Sequence, residues 1–441
     1  MANIRETAKS ILIAVLALSA VYLTMLTWAS SGLGVIPDDS FLAGILGINS
    51  SPGALPAPED TAGGYSGSYE LPQTIVLGLQ EGRYGVSVDR DELTKVFNSM
   101  RPILKEVIES ASSQENTGDD EWKEALQGES AFFDLGVLLP LGIFSLDLGA
   151  KSESFNGVST RYIAVAERDG LLSLYCKDNT GSVTRYASAV RSIAFTDTLS
   201  QYSDNGVSFA YELGADYDAL KDEQVIGLKT PKTSVYRCEN TFLNDGRYDD
   251  VAVSRLLEAF LFNPATVRKY SSGSGDEVFV GDTGFLTMKN DGMVVYESSG
   301  AGLPVSELTE AGPVVDEYDI LNAARRLTQA ANGLGGAARF TLRSLETKDG
   351  LTTIIFGLEM NGVPLMDGGR FNYGVVEVKN DCVFSAGIRY LSLFEDAGEV
   401  YILPEKQAAG IAESTNSELP FVLEKGDGKY RLTRVFRNEE G

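Results

Sequence analysis

The sequence predicts an α+β protein: a single N-terminal transmembrane helix, then three small extracytoplasmic domains of antiparallel sheet plus helices, the last two patterned as duplicates. Three observations carry this prediction. Residues 10–28 form one uninterrupted apolar segment. Asp-Gly pairs recur between alternating apolar runs, the signal of hairpins. Amphipathic helical spacing, as from Leu93 to Ile108, accompanies these hairpins, which gives an α+β class with an antiparallel meander.

The apolar segment, SILIAVLALSAVYLTMLTW, contains no charged residue. About 19 residues at 1.5 Å rise just cross a ~30 Å hydrocarbon core. Arg5 and Lys9 precede it and the next basic residue is Arg83. That asymmetry places residues 1–9 in the cytoplasm and everything after Trp28 outside the cell membrane. Tyr22 and Trp28 suit an anchor, Trp28 at the position of an interfacial aromatic. A cleaved signal peptide is the other reading of this segment, with Ala29-Ser30-Ser31 as its cleavage site. Residues 29–68, rich in Gly, Ser and Pro, read as a flexible stalk.

The first folded domain is expected over 69–222. It opens with a strand, Thr74–Leu79. Asp89-Arg90-Asp91-Glu92 then has capping-box spacing, and Leu93, Val96, Phe97, Met100, Leu104, Val107 and Ile108 follow at three-to-four spacing, with a kink expected at Pro102. A second helix, Glu121–Leu126, puts Trp122 and Leu126 on one face, with Asp119 or Asp120 placed to cap it. Strands Arg161–Ala166 and Leu171–Cys176 flank the turn Arg168-Asp169-Gly170, and Val183–Tyr186 completes an antiparallel meander.

A middle domain (223–312) and a last domain (313–441) repeat one order of elements. Helix Val251–Phe262 precedes strand–turn–strand Phe285–Tyr296; helix Tyr318–Ala331 precedes strands Thr352–Met360, Tyr373–Val378 and Val383–Ala386. Lys289-Asn290-Asp291 and Lys379-Asn380-Asp381 occupy matching turns, so duplication competes with coincidence of a common hairpin turn. A joint is expected near Gly300–Gly312.

Composition narrows function by exclusion. The chain has 441 residues, 43% of them hydrophobic, enough for real cores. A net charge of −25 argues against nucleic acid and against electrostatic docking on anionic lipid. There is no histidine, which removes Ser-His-Asp and Cys-His nucleophiles, His-zinc sites and His switches together. Cys176, Cys238 and Cys382 allow at most one disulfide and specify none. No serine begins Ser-x-x-Lys, so Ser203-Asp204-Asn205 and Lys232-Thr233-Ser234 lack the nucleophile that would give them catalytic meaning. Asp119-Asp120-Glu121 and Asp276-Glu277 with Asp282 do not match a calcium loop and read as a solvated helix start and as turns. No spacing selects a carboxylate pair among 62 acidic residues. No catalytic, cofactor-binding or metal-binding residue is therefore expected.

Ser10, Ala14, Ala17, Ala20, Thr24 and Thr27 share one face of the apolar helix, about 140° wide at ~100° per residue. Small residues there permit close approach of a partner helix.

Several segments, taken in order, resemble the YycH/YycI family, and YycH most. These are Arg5–Leu12 running to Leu26-Thr27-Trp28; Glu121–Leu126 followed by Leu139-Pro140-Leu141; Phe260-Leu261-Phe262-Asn263-Pro264-Ala265-Thr266-Val267-Arg268; and Asn361-Gly362-Val363-Pro364-Leu365 followed by Tyr390-Leu391 and Leu403-Pro404, in the part shared with YycI. The resemblance implies a bitopic, non-enzymatic regulator of the Gram-positive cell-wall sensor kinase WalK. It implies association with that histidine kinase and with a YycI-like protein, partly through transmembrane helices. An extracytoplasmic binding protein for a wall or lipid fragment is the alternative function.

Overall fold

The computed structural model describes residues 71–435, apart from 151–154, 156, 233, 273–274, 310–311, 313, 399 and 412–416. The apolar segment 10–28 and the stalk lie outside the described residues. Among the described residues, no helix is long and apolar enough to cross a membrane.

The first lobe is built on seven strands: β1 Thr74–Gly78, β2 Arg83–Ser87, β3 Ser112–Thr117, β4 Ser130–Pro140, β5 Ser159–Arg168, β6 Leu171–Lys177 and β7 Val183–Arg191. They are ordered β2-β1-β4-β5-β6-β7-β3, and every neighbouring pair is antiparallel. The β5–β6 turn is the expected one, with Asp169 at φ 54° and Gly170 at φ 81°, the positive pair that a two-residue hairpin requires.

Helix α1 (Arg90–Ser110) lies on one face of this sheet. The Asp89 side chain caps it by accepting from the Glu92 amide, and the helix runs on through Pro102. Its eight buried apolar side chains are worth about 1.5–3 kcal/mol each in gross transfer free energy. The opposite face is also covered. Helix α2 (Asp119–Gln127) and the segment around Val207–Val225 pack Trp122, Leu126, Val207, Phe209 and Val225 over Phe132, Tyr162, Ala164 and Tyr175. Burial on both faces is why β5 and β6 read as apolar runs rather than as alternation. Asp119 and Asp120 do not cap α2. Gly118 is its N-cap residue, and both aspartates fall in the first turn, where carboxylates are stabilised by the helix dipole. Helices α3 (Leu141–Asp147) and α4 (Ile193–Leu199) complete the lobe. It extends past the expected limit at 222, because Val225–Ile226 pairs with Ser208–Phe209.

The expected middle and last domains share one sheet. Its strands are β8 Val235–Asn240, β9 Arg268–Ser271, β10 Glu277–Val280, β11 Gly284–Met288, β12 Met293–Ser298, β13 Leu303–Pro304, β14 Arg339–Lys348, β15 Leu351–Met360, β16 Val363–Met366, β17 Gly374–Lys379, β18 Cys382–Arg389, β19 Leu391–Asp396, β20 Phe421–Gly426 and β21 Lys429–Arg434. The order is β9-β10-β11-β12-β18-β17-β15-β16-β20-β21-β8-β19, with β13 on β18 and β14 on β15. The joint expected near Gly300–Gly312 is instead structured: Leu303 pairs with Val383, and helix α6 (Val305–Thr309) buries Val305 and Leu308. Helices α5 (Asp250–Ala259) and α7 (Glu317–Thr328) precede the two sets of strands.

The centre of this sheet is palindromic. β10-β11-β12 meets β18-β17-β15 through the antiparallel pair β12·β18, in register from Met293↔Arg389 to Glu297↔Ser385. Two copies of one helix-plus-meander unit paired about a two-fold axis give this order. The two Lys-Asn-Asp turns nevertheless differ. Asn380 and Asp381 both take positive φ, whereas in the first turn Gly292 alone does so. Identity of the tripeptide therefore does not mean identity of the turn.

Candidate functional site

The predicted helix face of Ser10, Ala14, Ala17, Ala20, Thr24 and Thr27 lies outside the described residues. Within them, no group of three or more Cys, Asp or Glu side chains is placed to hold a metal ion. The acidic clusters are engaged by cations. Asp119 pairs with Lys177 and Lys123, Glu121 with Arg168 and Arg185, and Glu277 with Lys269. All three cysteines are thiols, and burial pushes the Cys176 thiol up to about 12.

The tripeptide Ser203-Asp204-Asn205 closes a sheet edge. The Asn205 side chain accepts from the Gly85 amide (3.0 Å) and donates to the Gly85 carbonyl (2.8 Å), as a neighbouring strand would. Asp204 Oδ1 accepts from the Arg83 amide at 2.9 Å. The free edge of β2 is thereby covered.

The most heavily built polar feature is the seam between the lobes. At one end, Arg325 of α7 makes a two-pronged ion pair with Asp147 of α3, at 2.9 and 2.8 Å. The two side chains are 6% and 3% exposed. At the other end, Glu418 sits between Arg161 of β5 and Lys221, the latter at 2.8 Å, and Arg161 also reaches Asp134 at 3.2 Å. Burial by itself would raise the Glu418 pKa, but Arg161 and then Lys221 outweigh it and hold the carboxyl at about 2. Next to this cluster, Glu223 accepts from Trp122 Nε1 (3.1 Å) and Lys177 Nζ (2.6 Å).

Backbone contacts run along the same seam. The Lys221 amide donates to the Ser417 carbonyl and the Ser417 amide to the Ala219 carbonyl. Arg90 pairs with Glu359. Gly362, at φ 80°, lies so close to Val88 that a Cβ would meet the Val88 carbonyl oxygen at 2.6 Å. Gly362 belongs to the motif Asn361–Leu365, so that motif works as a docking point between the lobes as well as a turn.

Apart from Gly362 in its motif, the sequence singles out none of these residues for the seam. The nearest signal is Arg325 itself, a cation on the apolar face that Leu321 and Thr328 mark out on α7. A buried charge requires a partner, but nothing in the sequence says that the partner is Asp147.

Concavities among the described residues include two of note. One is a shallow trough of about 720 Å3 between the end of α1 and α4, lined by Glu106, Glu109, Arg191, Ile193 and Asp197. The other is a cleft of about 420 Å3 beside α5.

Two large sheets with their helices and a seam of buried ion pairs define a two-lobed α+β scaffold. No protein-family description matches the chain, and no curated protein matches it. Among solved structures, the chain is similar to YycH from Bacillus subtilis. The similarity spans 83% of this chain and 92% of that one, with a TM-score of 0.50 and 12% identical residues. The fold is YycH-like.

Proposed function

We propose that this chain is a membrane-anchored, non-enzymatic regulator of a two-component cell-envelope sensor kinase. It acts through protein–protein contacts of its apolar N-terminal helix and its extracytoplasmic lobes. The observation that carries the reading is the YycH-like fold over most of both chains, joined to the ordered resemblance of segments from Arg5 to Pro404. The kinase and a YycI-like protein are the partners. The helix packs against a partner helix through Ser10, Ala14, Ala17, Ala20, Thr24 and Thr27, because small side chains allow the backbones to approach. Residues 1–9 are cytoplasmic and the lobes extracytoplasmic.

The test is to replace residues 10–28 with an unrelated apolar helix, and separately to make Ala14→Leu with Ala17→Leu. Co-purification with the sensor kinase and transcription of its target genes are then measured. Loss of both in each variant, with the protein still in the membrane, is the expected result. Unchanged association and unchanged output would remove the transmembrane mechanism.

A further inference from the structure

Strand β8 ends at Asn240, and the chain turns through Thr241 and a short ribbon (Leu243–Asn244 paired with Arg247–Tyr248) into helix α5. Together with residues 333–335 and β19, these segments wall the cleft of about 420 Å3. That volume lies within the roughly 300–1,000 Å3 of small-molecule sites.

Several polar groups in the cleft are already committed. Asn240 donates to the carbonyls of Lys289 and Asn290 and accepts from the Phe242 amide. Ser392 donates to Thr241. Asp249 gives one oxygen to the α5 cap and Glu239 one oxygen to Arg237. What stays uncommitted in the lining, among the described residues, is the exposed Arg255 guanidinium and the Asn244 amide, together with the second oxygens of Asp249 and Glu239. A free cation and free carboxylate oxygens thus line the same cleft.

The apolar part of the lining is open at Val251, whereas Leu334 packs against the main core and Phe394 carries the Arg237 guanidinium 5.2 Å from its ring centroid. Val251 precedes Arg255 by four residues on α5, so the two share a helix face. Val251 is 64% exposed, while Ala252 and Leu256 on the other side are buried. Leu334 and Phe394 line the cleft with it.

We infer that this cleft binds a small zwitterion with an apolar side chain, of the amino-acid or dipeptide class. Arg255 takes the carboxylate as a bidentate fork, Asp249 and Glu239 take the ammonium, and Val251, Leu334 and Phe394 cover the side chain. A neutral saccharide would leave the guanidinium without an anion, and inorganic phosphate would face two carboxylates. The inference does not rest on the regulator reading, since it needs no kinase.

The test uses the full chain in lipid nanodiscs with L-alanyl-L-leucine as probe, followed by saturation-transfer NMR and calorimetry. Its C-terminal amide, its N-acetyl form and cellobiose are the comparisons. The dipeptide is expected to bind, and each blocked form to bind about tenfold weaker or less. Arg255→Gln should lose binding to the same extent with unchanged thermal unfolding. Arg255→Lys, which keeps the charge and loses the fork, should fall between. No transfer to the dipeptide, equal binding of the amide, undiminished binding by Arg255→Gln, or preferential binding of cellobiose would each overturn the assignment.

Discussion

Breaking the Arg325–Asp147 pair should uncouple the two lobes. Both side chains are almost wholly buried and share two hydrogen bonds below 3 Å. Removing one partner leaves the other charged, desolvated and short of its counter-ion, a loss of about 3–5 kcal/mol. Asp147→Ala leaves Arg325 with Asn322 Oδ1 at 3.2 Å, a neutral acceptor that recovers little of this. At about 2 °C per kcal/mol for a chain of this size or larger, the midpoint should fall by roughly 6–10 °C. The double replacement Arg325→Met with Asp147→Leu removes both charges at once, and should cost about 1 kcal/mol or less. With each single replacement at about 3–5 kcal/mol and the double at about 1 or less, the double-mutant cycle should return a coupling of at least about 5 kcal/mol. Trp122, buried in the first lobe, gives a local readout in a Trp28→Phe background, and far-UV dichroism reports both lobes. The two probes should give one transition in the parent and two in Asp147→Ala. A single-variant loss below about 1 kcal/mol, or a double variant as unstable as the singles, would refute the claim that this pair holds the lobes together.

Three further outcomes follow from the seam and its turns. The Glu418 carboxyl is held at about 2 in the fold, below its unfolded value near 4.5. Its contribution is therefore complete above about pH 5 and is lost as the pH falls toward 2, on the order of 3 kcal/mol. Glu418→Gln should flatten that acid limb of a pH series of urea titrations while lowering stability at pH 7. Gly362→Ala should cost about 2 kcal/mol or more in thermal unfolding, because positive φ adds to a backbone clash with Val88. Gly350→Ala, at φ 75° with open space around it, should cost only about 1 kcal/mol by the same measurement.

The parts of this architecture legible in the sequence are those specified locally. Asp89 with Glu92 and the run from Leu93 to Ile108 specify α1 because a cap and a 3.6-residue period act within a few turns. Asp169-Gly170 specifies its hairpin because the turn needs positive φ. Strands β14 and β20–β21 carry weaker local signals, although Asp349-Gly350 joins β14 to β15 and Asp427-Gly428 joins β20 to β21 with the same positive-φ pair. Their flanks, such as Arg339–Lys348 and Lys429–Arg434, mix charge into partly buried positions and blur the alternation. The merging of two expected domains into one sheet was not legible at all. It depends on β12 meeting β18 and β8 meeting β19 and β21, pairings between distant segments that no local pattern encodes. The cleft shares this origin, since Arg255 and Phe394 are brought together by the sheet and not by a motif.

The seam bears on how the proposed regulator would act. A protein that regulates by contact shifts its partner's equilibrium only by the difference in its affinity for the partner's two states. Two lobes free to rotate would spend part of that difference on ordering themselves, as any interface formed by mobile parts does. Buried ion pairs add little net stability compared with apolar replacements, yet here they stand at two separated places, Asp147–Arg325 and Arg161–Glu418–Lys221. Two separated, directional contacts add a fixed rotation to the apolar cluster that runs continuously through both lobes. Gly362 against Val88 and Arg90 against Glu359 add further fixed points. These contacts hold the two lobes in one relative orientation.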